Sequence, residues 1–353
     1  MKVAVVGAGG VGGYFGGRLA AAGHDVRFVA RGRHLEALRR EGLTVEGPAM
    51  GSGPATDPGP ATGPGPATGS GPAVGSGPAV GSVPGGFSVP AEALRATDDA
   101  GEIGPVDVVL LAVKAWQLPG ALPLLKPLTA DGAAVVTTQN GVEGPAEVAE
   151  ALGRDAVLPG SARISAYVAE PGRIRHLGGP GSLAFGEWDN RPTERVERLR
   201  VALERAGVTA VVPRDIWAEL WSAFLFAASV GAVGAVTDAP VGALRSRPGT
   251  RRLLADAMAE IRRVAAATGT FLPEGVIVDT LDLVDRQPAD GTSSLQRDIA
   301  AGRPSELESW TGAVVRLGAR TGTPTPVNAL LYEVLALREA RAAEARDLEG
   351  AAA

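Results

Sequence analysis

Short apolar runs recur along the first half of the chain, and each predicts a β-strand that is buried on both faces. The first run covers residues 3–6, and residues 107–113 and 133–138 repeat the pattern. Residues 25–30 are predicted as a further strand, although they include Asp25 and Arg27. Between the runs, apolar side chains return at helical spacing, as over residues 33–41. Strands that alternate with helices are typical of a parallel sheet covered by helices. We therefore expect an α/β N-terminal domain with a doubly wound parallel sheet.

A strand-rich pattern follows from residue 156 to residue 188, with predicted turns at 171–172 and 178–181. A predicted helix over residues 193–206 and a predicted strand over residues 208–212 complete this region. We expect these elements to extend the first sheet.

Beyond Pro213 nearly every apolar pattern has the helical period. The predicted helices cover residues 216–230, 251–268, 273–283, 293–301, 306–317 and 326–346. No charge interrupts residues 220–236, which approach the length of a membrane span. Their Ala, Gly and Ser content, their acidic flanks and the lack of a Lys or Arg cluster that would set an orientation instead indicate a core helix. We therefore predict an N-terminal domain over 1–213, an all-α C-terminal domain over 214–353, and no membrane contact.

A proline- and glycine-rich repeat separates two predicted partner strands, residues 43–46 and residues 87–89. Gly-Pro-Ala followed by Thr or Val returns every six residues between Gly53 and Gly77. A parallel β-helix would need bulky aliphatic side chains at each turn, and proline removes donors from a strand ladder. We predict that residues 50–84 form a disordered, partly polyproline-like loop without chemistry.

The composition narrows the classes of partner and cofactor. With 353 residues, of which 45% are apolar, the chain can form two domain cores. A net charge of −5 without a basic stripe argues against a nucleic-acid partner. Cysteine is absent and the three histidines have unrelated spacings, so we predict no metal site. No signal sequence precedes the first strand, and we expect a cytoplasmic protein.

A glycine-rich turn follows the first predicted strand and starts a helix that stops at Gly23. Gly7, Gly9 and Gly12 fit the pattern G-x-G-x-x-G, with Gly10 inside the turn. The three positions permit a tight turn, a close approach of backbone to a pyrophosphate, and close helix packing. The free N–H groups of the helix N-terminus favour phosphate. We expect dinucleotide binding, and the alternative is a glycine turn that binds nothing.

Arg31 ends the second predicted strand, where a protein that reads NAD usually carries Asp or Glu for the ribose 2′-hydroxyl. Arginine cannot accept that hydrogen bond. With Arg33 and His34 beside it, Arg31 can bind a 2′-phosphate instead. We therefore expect NADP(H) rather than NAD(H), and the alternative is a solvated charge at a strand end.

Two further polar residues follow predicted parallel strands at the edge where α/β sheets bind ligands. Lys114 directly follows the strand over residues 107–113, and Asn140 follows the strand over residues 133–138. Lys114 is a candidate contact to cofactor or substrate, and the alternative is a lysine in solvent. Asn140 has an amide that can donate and accept, and the alternative is an ordinary Asn-Gly turn.

Five segments together carry a resemblance to a known family. They are Val-Val-Gly-Ala-Gly-Gly-Val-Gly-Gly at 5–13, Val-Lys-Ala-Trp-Gln at 113–117, Gln-Asn-Gly-Val at 139–142, Ala-Glu-Leu-Trp at 218–221, and Thr-Ser-Ser-Leu-Gln-Arg-Asp to Ser-Glu-Leu-Glu at 292–308. The chain resembles the ketopantoate reductase (2-dehydropantoate 2-reductase) family over nearly its whole length outside the repeat. The resemblance implies an N-terminal Rossmann domain, a helical C-terminal domain and a role in pantothenate biosynthesis.

The resemblance also implies NADPH-dependent reduction of a 2-oxo acid, ketopantoate or a related oxo or imine compound, between the two domains. It implies that the glycines, Arg31, Lys114 and Asn140 hold NADP and that the backbone of Ala166 meets the nicotinamide amide. It implies that Ser294 binds the substrate carboxylate. A homodimer is a further implication of the family.

Glu306 is the catalytic residue that the resemblance implies, beside the substrate hydroxyl and the cofactor. The residues themselves admit a second interpretation. Ser305-x-x-Glu308 is a capping box, and a glutamate in the first turn of a helix is favoured by the helix dipole.

The chain departs from the family at the residue that donates a proton. In the family a lysine follows Ala-Glu-Leu-Trp by two residues, and this position is Ala223 here. Two asparagines that bind substrate in the family appear as Ala227 and Gly231. We expect a diverged NADPH-dependent reductase of a bulkier or more apolar oxo or imine compound, with the proton coming from water, Glu306 or the substrate. The alternative is a non-catalytic NADPH-binding protein.

Overall fold

The strands of the computed structural model form two sheets, and its description covers residues 1–47, 81–83 and 86–352. In chain order the described strands are β1 Lys2–Val6, β2 Asp25–Val29, β3 Leu43–Glu46, β4 Gly81–Val83, β5 Gly86–Val89, β6 Arg95–Thr97, β7 Val108–Leu111, β8 Ala134–Thr137, β9 Val157–Leu158, β10 Gly160–Glu170, β11 Arg173–Phe185 and β12 Thr209–Val211. The described helices are α1 Gly10–Ala21, α2 Gly32–Glu41, α3 Leu118–Leu128, α4 Gly144–Leu152, α5 Glu194–Arg205, α6 Ile216–Thr237, α7 Val241–Ser246, α8 Pro248–Ala267, α9 Val276–Arg286, α10 Ser294–Ala300, α11 Ala313–Thr321 and α12 Pro326–Ala352.

The first sheet is parallel throughout, with the strand order β6-β2-β1-β7-β8-β9. β1 pairs with β2 and β7, and Val3 to Val6 are at most 1% exposed. This complete burial explains why the strand is an uninterrupted apolar run. The α/β part of the predicted fold is therefore confirmed, with the Rossmann arrangement of strand, glycine turn and helix at its start.

The second sheet corrects the prediction that residues 156–212 extend the first one. Only β9 joins the first sheet, whereas β10 and β11 pair with β3, β5 and β4 in the order β10-β11-β3-β5-β4, and β12 pairs with β11. Pro159 separates β9 from β10, and a proline has no N–H to continue a ladder. The predicted turn at 178–181 is also wrong. It is a glycine-rich irregularity inside β11, opposite register shifts in β10.

The predicted repeat loop falls mostly outside the described residues. Its last part is described and contradicts the prediction, because Gly81–Val83 forms a strand that pairs antiparallel with Gly86–Val89. β5 pairs with β3 along one edge and with β4 along the other. The composition of the repeat did not indicate that its last residues would find these hydrogen-bond partners. The predicted pairing of residues 43–46 with 87–89 is confirmed as an antiparallel pair.

The C-terminal region is helical, as predicted, and is built around α6. Phe224, Leu225 and Ala228 of this helix are completely buried. By length and composition α6 could cross a membrane, but 67% of its most apolar window is buried inside the protein. One predicted helix differs in detail, since residues 308–312 form a π-helical turn before α11.

Candidate functional site

A large cleft lies where the carboxyl ends of β1, β7 and β8 face α6 and α10. Its volume is about 1950 Å³, and pockets for drug-sized ligands occupy only about 300–1,000 Å³. Lys114 and Asn140 line it from the sheet side, and Ser294 and Glu306 from the helical side. The cleft therefore has room for a dinucleotide together with a small substrate.

The glycine turn has the geometry of a phosphate cradle. Gly7 has φ of +99°, and a Cβ on it would lie 2.9 Å from the backbone of Ala112. A Cβ on Gly12 would lie 2.0 Å from the carbonyl oxygen of Gly7, so α1 packs directly on the turn behind the cleft wall. A Cβ on Gly9 would meet no described atom within 4 Å. This open side, next to the N-terminal N–H groups of α1, fits a pyrophosphate.

The backbone of Ala166 lies against the glycine turn. A Cβ on Gly10 would lie 2.3 Å from the carbonyl oxygen of Ala166. The pairing of β10 with β11 shifts register on either side of Ser165, next to Ala166. Such irregularities interrupt the ladder and are common beside ligand sites.

Arg31 stands at the mouth of the cleft. Its side chain is exposed and, among the residues that the structure describes, has no hydrogen-bond or ion-pair partner. Arg33 is exposed and does not line the cleft. The guanidinium of Arg31 is therefore the group at this strand end that is free to meet a phosphate.

His34 has a structural contact in place of the phosphate contact considered from the sequence. The backbone N–H of Gly172 donates to Nδ1 of His34 at 3.1 Å, so Nε2 carries the proton and donates to the carbonyl oxygen of Ala8 at 2.8 Å. Burial lowers the pKa of His34. The neutral imidazole thus ties the glycine turn to the β10–β11 hairpin.

Asn140 lies in the cleft wall and not in an isolated surface turn. Its Oδ1 accepts a hydrogen bond from the Ser161 hydroxyl at 3.3 Å, and its amide nitrogen has no partner within the described ranges. The buried neighbour Gln139 donates to the carbonyl oxygens of Leu111 and Val113 at 3.0 and 2.8 Å. These bonds join the ends of β7 and β8 and hold Asn140 at their shared edge.

Lys114 and Glu306 meet across the cleft, although they lie 192 positions apart in the sequence. Nζ of Lys114 lies 3.0 Å from Oε2 of Glu306 and 3.4 Å from Oδ2 of Asp298. The backbone N–H of Ala115 donates to Oε1 of Glu306 at 3.2 Å. Burial lowers the pKa of Lys114, but the two carboxylates together raise it above its usual value. The Lys114 ammonium is therefore paired and not simply solvated.

The capping interpretation of this region is only half correct. Ser305 accepts the backbone N–H of Leu307 at 3.1 Å, so it does cap the turn. The side chain of Glu308 bonds to Arg316 and Tyr332 and does not return to Ser305. The side chain of Glu306 is left to face Lys114.

Ser294 lines the cleft near the N-terminus of α10, where Ser293 accepts the N–H of Gln296 and acts as the helix cap. Arg297, one turn later, also lines the cleft and was not identified from the sequence. Its Nη1 donates to the carbonyl oxygen of Thr292 at 2.5 Å, and it has no ion pair with any described carboxylate. Burial lowers the pKa of its guanidinium. Helical spacing after Ser294 was the signal that could have indicated Arg297.

The opposite wall of the cleft is largely apolar. Ala223, Phe226, Ala227 and Val230 line it from one face of α6. No lysine lies on this helix, and the two polar side chains of the wall sit towards its start, at Glu219 and Ser222.

Trp310 occupies the space beside Gly231. A Cβ on Gly231 would lie 2.9 Å from the indole ring, and Trp310 is only 2% exposed. The π-helical turn over residues 308–312 carries this ring to α6. An asparagine at position 231 therefore has no room, which the sequence did not indicate.

The donor set suits a dinucleotide better than a metal. Within the described ranges no group of three or more His, Asp or Glu side chains could hold a metal ion. The open glycine turn, the Arg31 guanidinium and the amide nitrogen of Asn140, the last two without partners in the described part of the chain, instead match phosphate and amide groups.

The comparisons with known proteins agree with this geometry. Residues 3–190 match the sequence model of the family described as ketopantoate reductase PanE/ApbA, and residues 215–339 match its C-terminal part. The chain is 31% identical to a 2-dehydropantoate 2-reductase of Mesorhizobium japonicum, over 92% of this chain and 94% of that protein.

Solved structures show the same fold. A 2-dehydropantoate 2-reductase from Geobacter metallireducens matches with a TM-score of 0.80 at 27% identity, covering 96% of this chain and 99% of the other. A D-mandelate dehydrogenase solved with NADH and anilino(oxo)acetate matches with a TM-score of 0.79 at 20% identity, covering 97% and 99%, and shows the shared fold alone.

Proposed function

This chain belongs to the ketopantoate reductase PanE/ApbA family, whose members are NAD(P)H-dependent oxidoreductases, and from that premise we propose that it reduces a 2-oxo acid to a 2-hydroxy acid with NADPH. One observation carries the proposal. The glycine turn, the Lys114–Glu306 pair and Ser294 line the same cleft. The cofactor, when bound, supplies the hydride, and the residues of the chain bind and orient the reactants.

The cofactor contacts of the proposal come from the sheet side of the cleft. Gly7, Gly9, Gly10 and Gly12 form and support the pyrophosphate cradle. Arg31 meets the 2′-phosphate, since an unpaired guanidinium binds phosphate with two parallel hydrogen bonds. Lys114, the amide of Asn140 and the backbone of Ala166 contact the ribose and nicotinamide end.

The substrate contacts of the proposal come from the helical side. The hydroxyl of Ser294 binds the carboxylate, and the guanidinium of Arg297 adds a charged contact from the same helix face. Glu306 lies beside the reacting oxygen and orients Lys114. We place the boundary between the two domains at Pro213, so the substrate lies between them.

The apolar wall of α6 favours a particular substrate class. Ala223, Ala227 and Val230 offer no hydrogen bond to a hydroxylated side chain, and a polar group buried against them would be unsatisfied. We therefore propose that the substrate is an oxo compound whose side chain is larger and more apolar than that of ketopantoate. An imine of the same shape is the alternative substrate.

The absence of a lysine at position 223 favours a second candidate, a non-catalytic protein that binds NADPH. One experiment separates the two functions. NADPH oxidation is measured with ketopantoate, with 2-oxo acids that have longer aliphatic or aromatic side chains, and with cyclic imines. Turnover of a bulky apolar compound supports the reductase. Tight NADPH binding without oxidation by any compound of the panel supports the second candidate.

We also propose that the protein forms the homodimer that the family implies. Light scattering on the purified chain measures its mass directly, and a mass of one chain would contradict the dimer.

A further inference from the structure

The reaction needs a proton donor other than a lysine on α6, because α6 carries no lysine. Reduction of a ketone places negative charge on oxygen, and a positioned acid increases the rate by a factor on the order of 10²–10⁴. Ala223 has no proton to give. The cleft is also lined by four arginines, but a guanidinium does not give up its proton in the neutral range. They are Arg31, Arg163, Arg286 and Arg297.

Lys114 carries the only ammonium group among the described residues that line the cleft. It lies at the carboxyl end of β7, between the glycine turn and α10. Its side chain is 39% exposed, so water can reach Nζ from the cleft. A lysine that is both paired and accessible can lose a proton and regain it.

Glu306 is arranged to hold this ammonium and not to act as the acid itself. Its Oε2 accepts from Nζ of Lys114, and its Oε1 accepts from the N–H of Ala115. Both oxygens are used as acceptors, which suits a carboxylate without a proton. Asp298 faces Nζ from α10 and is itself paired with Arg303 at 2.9 Å.

These contacts also account for the charge state of Lys114. Burial lowers its pKa, and Glu306 and Asp298 more than offset this effect, so the resting group is protonated throughout the neutral range. A protonated amine beside a ketone is the starting state that a general acid requires.

We propose that Nζ of Lys114 donates the proton to the substrate oxygen, in place of the lysine that the chain lacks at position 223. This inference rests on the proposed reductase function. As the carbonyl carbon accepts hydride from NADPH, its π electrons move to the oxygen, and the oxygen takes the proton from Nζ. NADP⁺ and the 2-hydroxy acid leave, and the neutral amine of Lys114 regains a proton from water.

The test compares Lys114→Ala with Lys126→Ala, a matched substitution of an exposed lysine outside the cleft. The rate of hydride transfer at saturating NADPH should fall about 100-fold or more in Lys114→Ala and remain unchanged in Lys126→Ala. NADPH affinity, measured separately by fluorescence titration, should fall far less than this rate. Lys114→Arg keeps a cation next to Glu306 but should show the same fall in the rate of hydride transfer. This variant replaces Lys114→Ala in the test if the alanine variant does not fold.

Chemical rescue separates proton donation from cofactor binding. Primary alkylammonium ions of different pKa are added to Lys114→Ala, and the restored rate should depend on the pKa of the added ion. A rate that does not depend on this pKa, or a loss that lies wholly in NADPH affinity, overturns the assignment of Lys114. If the wild-type protein oxidises NADPH with no compound, the reductase proposal fails and this inference fails with it. Undiminished turnover by Lys114→Ala would refute the inference alone.

Discussion

Arg31 lies at the mouth of the cleft, and its guanidinium has no partner among the described residues. We expect this one side chain to determine the choice of cofactor. Hydrogen bonds to charged groups contribute about 1.5–3 kcal/mol. Arg31→Ala should therefore weaken NADPH binding about ten- to a hundredfold and leave NADH binding almost unchanged. Titration calorimetry with both cofactors measures the difference.

The neighbouring Arg33 supplies the control for this prediction. It is exposed on the same loop but does not line the cleft, so Arg33→Ala should leave both affinities near the wild-type values. Equal losses of NADPH and NADH affinity in Arg31→Ala would mean that the guanidinium does not read the 2′-phosphate.

Ala223 and Ala227 offer a second prediction at the residue scale. The wild-type protein should reduce ketopantoate slowly, because Ala223 and Ala227 offer no hydrogen bond to its hydroxylated side chain. Ala223→Lys combined with Ala227→Asn should raise this rate measurably, since both side chains would face the cleft one turn apart. Steady-state NADPH oxidation is the measurement. A wild-type efficiency above about 10⁴ M⁻¹ s⁻¹ with ketopantoate would contradict the prediction.

Gly231→Asn supplies the structural control for that double variant. The Trp310 ring lies 2.9 Å from the position of a Cβ at residue 231, so the added side chain should displace a buried indole. Overpacking of this kind costs about 1–3 kcal/mol. The triple variant should therefore melt at a lower temperature than the double variant and lose its gain in rate.

The candidate residues that the sequence itself could indicate are those with a local signal. Gly7 and Arg31 follow apolar strands at known ligand-binding positions, and both line the cleft. Trp310 against Gly231 could not be predicted, because the two residues meet only after the helices pack. Arg297 could have been predicted from the sequence, since it lies one helical turn after Ser294.

At the scale of elements, helices and strands were predictable, but their partners were not. The apolar runs located β1, β7 and β8 well, because burial on both faces leaves a continuous signal. Assigning β10 and β11 to a second sheet depends on hydrogen bonds to β3, which lies more than a hundred residues earlier. The effect of Pro159 on the ladder is the local feature that could have indicated the break.

His34 connects two elements and gives a prediction about pH. Its pKa is lowered from 6.5 in the folded protein, because burial favours the neutral imidazole that bonds Ala8 and Gly172. Its contribution to stability is therefore complete above about pH 6.5 and is lost as the pH falls towards the lower folded pKa. The free energy of unfolding should drop between about pH 7.5 and about pH 5.5 less in His34→Gln than in the wild-type protein.

Urea unfolding at both pH values measures this difference. His24 and His176 also have lowered pKa values and keep part of the pH dependence in the variant. His24→Gln is a matched control that leaves the contact between the glycine turn and the hairpin intact. A pH dependence in His34→Gln as steep as that of the wild-type protein would show that this imidazole does not couple the two elements.

At the scale of the whole molecule, the candidate site exists only because two regions distant in sequence face each other. Lys114 follows a sheet strand and Glu306 precedes a helix of the C-terminal region, yet their charged atoms lie 3.0 Å apart. The sequence indicated Lys114 through its position at a strand end and Glu306 through the family resemblance. Their distance could not be read from it, because it depends on how the helices around α6 pack against the sheet.

The repeat over residues 50–84 gives the last prediction. β3 and β5 are antiparallel neighbours, with Val45 opposite Phe87, so the two chain ends that flank the repeat lie side by side. A short hairpin loop can join such strands, and shortening a loop changes its closure free energy by only about 0.6 kcal/mol per halving. Replacing residues 50–84 with Asn-Gly should therefore leave the melting temperature and NADPH affinity nearly unchanged. A second variant that removes only residues 50–68 keeps the edge strand Gly81–Val83 and leaves residues 47–49 and 69–80 for the crossover that connects β3 to this parallel strand on the far side of β5. A lower melting temperature in the first variant alone would assign a stabilising role to that strand, and a large decrease in both variants would show that the repeat packs against the domain.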